Sequence, residues 1–133
     1  GRLVMDGSWE GTMIDEPVTL EIEQGVIASI TGGEMASRIR KEFQDAAEPL
    51  RPKDQDVAGT VAEFGFGMNP AAALTGNLLE DEKCLGTCYF MFGDNTAGGG
   101  NNRVGFTLSG VMRNPSIWLD DETLLENGQF AED

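Results

Sequence analysis

LLEDEKCLGTCYFMFGDN (residues 78–95) and GGGNNRVGFTLSGVMRNPSIWLDD (residues 98–121) decide the fold of this chain, because each contains one strongly apolar segment. Residues 84–92 predict a buried strand. Residues 103–112 alternate between apolar and polar, which is the period of a half-buried strand. The glycine- and asparagine-rich segment 93–102 predicts a loop between them. With the shorter strands around them, these segments predict an α+β fold with a mainly antiparallel sheet.

The segments before this region predict further strands and one principal helix. Residues 18–23 and 26–30 alternate on either side of Gln24-Gly25, which predicts a hairpin. Residues 34–48 have apolar side chains at helical spacing, and Thr31 with Glu34 fits a capping box at the start of that helix. A second, short helix is predicted at residues 71–74. The methionines and phenylalanines of the strands are expected to form the core.

Composition excludes several classes of partner. The 133 residues are expected to form a single domain, residues 1–133. They include 23 acidic and 9 basic residues, for a net charge of −14, which disfavours nucleic acid and anionic membrane surfaces as partners. The sequence contains no long apolar run and no signal-peptide pattern, so a cytoplasmic protein without membrane contact is expected.

The two cysteines are expected to be free thiols. If both lie in the strand at residues 84–92, the Cα atoms of Cys84 and Cys88 are about 13 Å apart, too far for a disulfide. Positions four apart fall on the same face of a strand, so both thiols are expected to be buried together.

Three motifs carry a resemblance to a known family. AEFGFGMNP (62–70), Gly86-Thr87-Cys88-Tyr89 and the strand before Asn114-Pro115 together resemble the C-terminal part of dimeric metallo-aminopeptidases of the aminopeptidase T, S and thermophilic leucyl aminopeptidase type. The resemblance implies a homodimer. It also implies an ancestral metal site at four positions, which in this sequence are Glu63, Tyr89, Thr107 and Ser109.

Those four positions are poor metal ligands. The sequence has no histidine, the hydroxyls of Thr107 and Ser109 bind metals weakly, and Tyr89 can bind only as a phenolate. We therefore expect no cofactor, no transition metal and no identifiable catalytic residue. The alternative is a divalent cation: zinc or cobalt if the ancestral site persists. Calcium or magnesium would suit a new oxygen site formed by Glu63 with Asp81, Glu82 and Asp94.

Three functional hypotheses follow from the resemblance. The first is an aminopeptidase-like domain that has lost its metal ligands and acts as a non-catalytic binding or scaffold module, with a peptide as a possible ligand. The second is a metal-dependent, peptidase-like hydrolase with a remodelled oxygen-ligand site, or one part of a longer active chain. The third is a ring-cleaving dioxygenase, a reaction that some relatives of the scaffold support and that also requires the missing histidines.

The resemblance also makes a geometric prediction. Glu63, Tyr89, Thr107 and Ser109 are expected to line one concave site from three different strands, bordered by the loop at residues 98–102. Positions two apart in a strand point the same way, so Thr107 and Ser109 share a face whatever the family.

Overall fold

The computed structural model describes residues 1–132 and confirms an α+β fold that is mainly antiparallel sheet with one principal helix. The helices within these residues are α1 (Glu34–Ala47), α2 (Pro52–Gln55) and α3 (Leu78–Asp81). The strands are β1 (Arg2–Met5), β2 (Ser8–Trp9), β3 (Thr12–Met13), β4 (Val18–Glu23), β5 (Val26–Thr31), β6 (Val61–Phe66), β7 (Thr87–Gly93), β8 (Thr107–Arg113), β9 (Ile117–Leu119), β10 (Glu122–Glu126) and β11 (Gln129–Phe130).

The strands form three sheets, and neighbouring strands in each are antiparallel. A five-stranded sheet has the order β3-β2-β8-β7-β6 and contains, as β7 and β8, the strands predicted at residues 84–92 and 103–112. A second sheet has the order β1-β4-β5, and a third, near the C-terminal end, has the order β11-β10-β9. The predicted hairpin is confirmed as β4–β5, turning through Gln24 and Gly25 with φ of 50° and 79°.

The principal helix is confirmed, but its predicted cap is wrong. Helix α1 begins after Gly33, and no side chain caps its first turn. Thr31 still belongs to β5, and Gly32, with φ of 133°, turns the chain between strand and helix. Thr31 therefore lies two residues before the cap position, Gly33, and cannot act as the cap.

Two further local predictions are wrong for related reasons. The short helix predicted at residues 71–74 is absent from the described chain at that position, because Asn69 Oδ1 accepts the N–H of Ala71 at 2.9 Å and forms a side-chain turn instead. The short helix is α3, a few residues later. Strand β7 begins only at Thr87, because Gly86 has φ of 86° and turns the chain into it.

The cysteines are free, as predicted, but they do not share a strand face. Cys84 precedes β7 and is half-buried, whereas Cys88 lies within β7 and is buried. Burial, followed by the charge of Asp6, raises the pKa of the Cys88 thiol to about 11. Cys88 is therefore a neutral packing group and a poor nucleophile.

The main core lies between one face of the five-stranded sheet and helix α1. Trp9, Phe43 and Phe92 meet there with ring centroids 5.9–6.1 Å apart, and Trp9 and Phe92 are fully buried. The prediction that the strand phenylalanines form the core holds for Phe92 but not for Phe64, which is 47% exposed. Among the described residues, no helix is both long and apolar enough to cross a membrane.

Candidate functional site on the polar sheet face

The five-stranded sheet has a second face that is largely polar. Strand pairing places Met91 opposite Glu63 on β6 and opposite Ser109 on β8, so these three side chains point the same way. Strands about 4.8 Å apart put the Cα atoms of Glu63 and Ser109 about 10 Å from each other. We call this surface the polar face; it contains Glu63, Gly65, Tyr89, Met91, Thr107 and Ser109, together with the buried apolar Val111, which lies opposite Tyr89.

Glu63 and Tyr89 are in direct contact. The Tyr89 O–H donates to Glu63 Oε1 at 2.7 Å. Tyr89 can reach Glu63 because Gly65 lies directly opposite it on β6, and a Cβ atom at Gly65 would overlap the end of the phenol ring. The glycine therefore provides the space in which the ring crosses from β7 to β6.

The electrostatics of this contact keep Tyr89 neutral. The hydrogen bond to Glu63, followed by burial and the charges of Glu63 and Glu82, raises the pKa of Tyr89 to about 12. A phenol with this pKa is a hydrogen-bond donor throughout the physiological range. Tyr89 is thus less suited to bind a metal as a phenolate than an isolated tyrosine would be.

Ser109 is fixed by a residue that sequence reasoning missed. Glu10 follows β2 in a left-handed conformation, with φ of 45°. Its carboxylate accepts the Ser109 N–H at 2.6 Å, and its own N–H donates to the Ser109 carbonyl at 3.0 Å. Burial raises the pKa of the Glu10 carboxyl, the Ser109 N–H lowers it, and the charge of Glu42 raises it further.

The signal for Glu10 in the sequence is weak. Glu10-Gly11 is a two-residue hairpin turn between β2 and β3, and such turns favour Asn or Asp over Glu at the first position. An unfavourable residue in a tight turn indicates a local role. Here that role is to bind the backbone of Ser109, a residue 99 positions away in sequence.

Thr107 lies at the opposite end of the polar face, where it is exposed and pairs with Gly93. The loop predicted to border the site is anchored beside this end. Asn102 donates from Nδ2 to the carbonyls of Gly93, at 2.7 Å, and Val57, at 2.9 Å. The structure therefore places all four predicted positions on one sheet face, with Glu63 and Tyr89 in contact and Thr107 toward the loop.

Asp81 lies against the same sheet face but is fully buried and saturated. Its carboxylate accepts the Ser8 hydroxyl at 2.8 Å and the N–H groups of Thr75, at 2.8 Å, and Gly76, at 3.2 Å. Its carbonyl accepts the Thr87 hydroxyl at 3.1 Å. Asp81 therefore fixes the segment before β7 to the sheet.

The proposed oxygen ligands do not converge. Asp94 follows β7 whereas Asp81 precedes it, and the seven residues of that strand span about 20 Å. Asp94 accepts the hydroxyl and N–H of Thr96 and the N–H groups of Val104 and Gly105, and these bonds lower its pKa to about 2. Glu82 is paired with Lys83. Asp81 and Asp94 therefore hold backbone at opposite ends of β7.

The donors of the polar face do not fit a metal centre. They are one carboxylate, one neutral phenol and two hydroxyls, and the sequence contains no histidine. Across residues 1–132 no three His, Cys, Asp or Glu side chains are grouped so that they could hold a metal ion. The face can instead offer hydrogen bonds to a ligand through Glu63, Tyr89 and the exposed Thr107 hydroxyl, whereas Ser109 is buried.

Comparison with known proteins places this chain in an enzyme family. A family model described as NicX: 2,5-dihydroxypyridine 5,6-dioxygenase matches residues 9–132. The chain therefore belongs to this family.

Two relatives agree with the family assignment. The chain is 32% identical over 125 residues to a 2,5-dihydroxypyridine 5,6-dioxygenase of Pseudomonas putida strain KT2440, in an alignment covering 87% of the chain and 34% of the relative. It also superimposes on a solved structure of 2,5-dihydroxypyridine dioxygenase from Pseudomonas putida KT2440, with a TM-score of 0.85 and 25% identity over all of this chain. That alignment covers 40% of the solved chain, so this chain spans little more than a third of these relatives.

The family assignment corrects the resemblance to aminopeptidases, which is wrong. Two of the three functions derived from it are wrong as well: the binding or scaffold module that has lost its metal ligands, and the peptidase-like hydrolase. The motif that misled contains Gly65, Gly67 and Asn69, and each has a packing role. A Cβ at Gly67 would overlap the backbone at Cys84, and Asn69 exchanges backbone hydrogen bonds with Lys83 and Leu85. Such residues specify a backbone, and a backbone does not specify a reaction.

The expectation about cofactors is also wrong. It gave none, with zinc, cobalt, magnesium or calcium as alternatives, and it was based on an aminopeptidase ligand set. The family is one of dioxygenases. In proteins, O₂ chemistry depends on redox-active groups such as haem, flavin, copper or non-haem iron.

Proposed function

We propose that this protein takes part in oxygen-dependent cleavage of a hydroxylated pyridine ring, with 2,5-dihydroxypyridine as the model substrate. The observation that carries the proposal is the family match over residues 9–132, together with the shared backbone of the Pseudomonas putida dioxygenase. The chain spans only 34% of the length of the relative from Pseudomonas putida, so the activity of that whole enzyme is proposed for this chain rather than shown.

Within that reaction, the polar face is the surface offered to the organic substrate. A redox-active group, when bound, supplies O₂ activation. The two-histidine, one-carboxylate set that holds non-haem iron in many oxygenases is not formed by the residues described here. The role proposed for this part of the molecule is therefore to bind and orient the ring, with hydrogen-bonding groups in a fixed arrangement on three adjacent strands.

An oxygen-incorporation assay tests this function. The purified protein is incubated with 2,5-dihydroxypyridine under isotopically labelled O₂, with and without added ferrous iron. Oxygen uptake is followed with an electrode and the products by mass spectrometry. The expected result is a ring-opened product carrying both labelled oxygen atoms. If no labelled product forms above a protein-free control in either arm, the proposed function is wrong.

We also propose a cytoplasmic homodimer. Trp118 and Leu119 on β9 and Phe130 on β11 are 59%, 61% and 40% exposed, and β9 and β11 are the two outer strands of their sheet. Exposed apolar side chains on sheet edges favour pairing between chains, whereas the net charge of −14 opposes it. The dimer is therefore expected to tighten with salt, and Trp118→Ser to weaken it, in light scattering at low and moderate ionic strength. A monomer at tens of micromolar in both conditions would contradict it.

A further inference from the structure

The contact between Glu63 and Tyr89 leaves one acceptor open. Tyr89 donates to Glu63 Oε1, and among residues 1–132 no side chain or backbone group donates to Glu63 Oε2. Glu63 is exposed on the edge strand β6, so this second oxygen faces solvent rather than the core. A carboxylate held at one oxygen and open at the other is oriented to accept one further hydrogen bond.

The position of Tyr89 depends on the absence of a side chain at Gly65. The atoms that a Cβ at Gly65 would overlap are Cζ, Oη and Cε1 of Tyr89, all at the end of the side chain. The end of the phenol ring therefore lies beside Gly65, and its hydroxyl is held by the hydrogen bond to Glu63. Tyr89 is half-buried, so part of its aromatic ring is accessible beside the acceptor.

The chemistry of this arrangement favours one class of ligand. A carboxylate oxygen accepts from a ring O–H or ring N–H, and an aromatic surface contacts a planar ring. The net charge of −14 disfavours anions and favours neutral or cationic molecules. A hydroxylated nitrogen heterocycle satisfies all three conditions.

We propose that Glu63 and Tyr89 form a recognition pair in which Glu63 accepts a hydroxyl or ring N–H hydrogen of a planar hydroxylated N-heterocycle that contacts the Tyr89 ring. The inference rests on the proposed function for the identity of the substrate, and it assigns to these two residues binding and positioning of the ring. Gly65 is the residue that allows the pair to form.

Binding without turnover is the direct test. Isothermal titration calorimetry under nitrogen, with no metal added, is performed with 2,5-dihydroxypyridine, 3-hydroxypyridine and unsubstituted pyridine. Glu63→Gln removes the charge and leaves one acceptor oxygen, which the Tyr89 O–H can occupy, so the open position carries an NH₂ group instead of an acceptor. This variant is expected to weaken binding of 2,5-dihydroxypyridine about tenfold to a hundredfold, since a hydrogen bond to a charged group is worth about 1.5–3 kcal/mol. Pyridine, which lacks a donor, is expected to bind at least about tenfold more weakly than either hydroxypyridine.

Two further variants distinguish a specific loss of ligand binding from a general loss of folded structure. Gly65→Ala keeps both functional groups but displaces the end of the Tyr89 ring, and is expected to weaken binding with the circular dichroism spectrum unchanged. Glu23→Gln removes an exposed carboxylate at the end of β4 and is expected to bind like the unmodified protein. Equal binding of pyridine and hydroxypyridines, or unchanged binding in both Glu63→Gln and Gly65→Ala, overturns the recognition pair.

The outcomes also separate this inference from the proposed function. Binding that depends on Glu63, without any oxygen-dependent product, supports the recognition pair and contradicts the dioxygenase. Labelled product formed equally well by Glu63→Gln and the unmodified protein supports the dioxygenase and contradicts the pair. The absence of any binding under nitrogen also overturns the pair.

Discussion

Two carboxylates against the same sheet face have opposite environments. Asp81 is fully buried, and its oxygens accept three hydrogen bonds from Ser8, Thr75 and Gly76. Glu63 is exposed, and the single hydrogen bond found for its carboxylate within residues 1–132 comes from Tyr89. The first carboxylate fixes a segment of chain, whereas the second has capacity to bind something else.

The difference shows how to distinguish a carboxylate that stabilises the fold from one that is available to bind a ligand. Burial of a carboxylate is costly unless donors satisfy it, and a fully satisfied group has no remaining capacity for a ligand. In this chain, Asp81 and Asp94 each accept several hydrogen bonds and fix segments of backbone. They differ in this from Glu63, which accepts one within the described part of the chain. Sequence position alone does not separate them, because all three are acidic residues near apolar strands.

The largest expected effect comes from removing the buried carboxylate. Asp81→Ala leaves the buried Ser8 hydroxyl and the partly buried N–H groups of Thr75 and Gly76 without their acceptor. It is expected to lower the free energy of unfolding by about 2–4 kcal/mol, since an orphaned buried donor costs about 1–3 kcal/mol. Ser8→Ala removes one of those donors and is expected to cost about 1 kcal/mol. Equilibrium unfolding in urea measures both. A loss below that of Ser8→Ala would show that Asp81 does not anchor its segment.

A smaller loss is expected when the segment anchored by Asp81 is pushed away from β6. Gly67→Ala places a Cβ against the backbone at Lys83 and Cys84, which cannot move aside as a side chain could. Overpacking of this kind costs about 1–3 kcal/mol. Gly98→Ala is the matched control, because a Cβ there meets no atom within 4 Å. Equal unfolding midpoints for the two variants would contradict the close contact.

A third carboxylate, Glu10, lies between the two extremes, and its effect is expected to depend on pH. Its pKa is raised from 4.5, mainly by burial, so the folded state holds its proton more tightly than the unfolded state. Its contribution to stability is present below pH 4.5 and is lost as pH rises through the folded pKa.

Glu10→Gln can keep the hydrogen bond to Ser109 without the charge. The variant is therefore expected to match the unmodified protein near pH 4 and to be slightly more stable at pH 7. Urea unfolding at the two pH values measures the change, with Glu23→Gln as the control. If the variant loses stability relative to the unmodified protein as pH rises, the cause assigned to Glu10 is wrong.

How far the sequence predicts this molecule depends on the range of the interaction. The β4–β5 hairpin and helix α1 follow from local spacing, and both are present. That Thr107 and Ser109 share a face follows from strand alternation. Local pattern contains no information on which distant residue supplies a donor or acceptor, so the contacts of Asp81 with Ser8 and of Glu10 with Ser109, 73 and 99 positions apart, could not be predicted.

The chemistry of the site was misjudged for a different reason. The glycines and asparagine of residues 65–69 are specific to a backbone, because each lies where a larger side chain would overlap its neighbours or where a turn requires it. Residues of this kind persist among proteins that catalyse different reactions on one scaffold. These residues therefore indicate a type of backbone and do not indicate aminopeptidase chemistry.

The smallest effect on stability, and the sharpest test of the exposed carboxylate, comes from titrating the phenol. Tyr89 is the single tyrosine of the sequence, so absorbance of the tyrosinate reports on it alone. Its pKa is expected to be about 12 in the folded protein, mainly because of the hydrogen bond to Glu63. Glu63→Gln removes the charge and should lower that pKa toward the ordinary value of about 10.

The sign of the pH effect follows from the same contact. The phenol of Tyr89 contributes stability below about pH 10, which is lost as pH rises toward 12. At pH 7 Glu63→Gln should change the free energy of unfolding by less than about 0.5 kcal/mol, because Glu63 lies on the surface. Circular dichroism measured at each pH shows whether the protein is still folded, so that unfolding is not mistaken for titration of the Tyr89 phenol. An unchanged tyrosine pKa in Glu63→Gln would show that the two groups do not interact in solution, and Glu63 would then be an ordinary surface carboxylate rather than the open half of a binding pair.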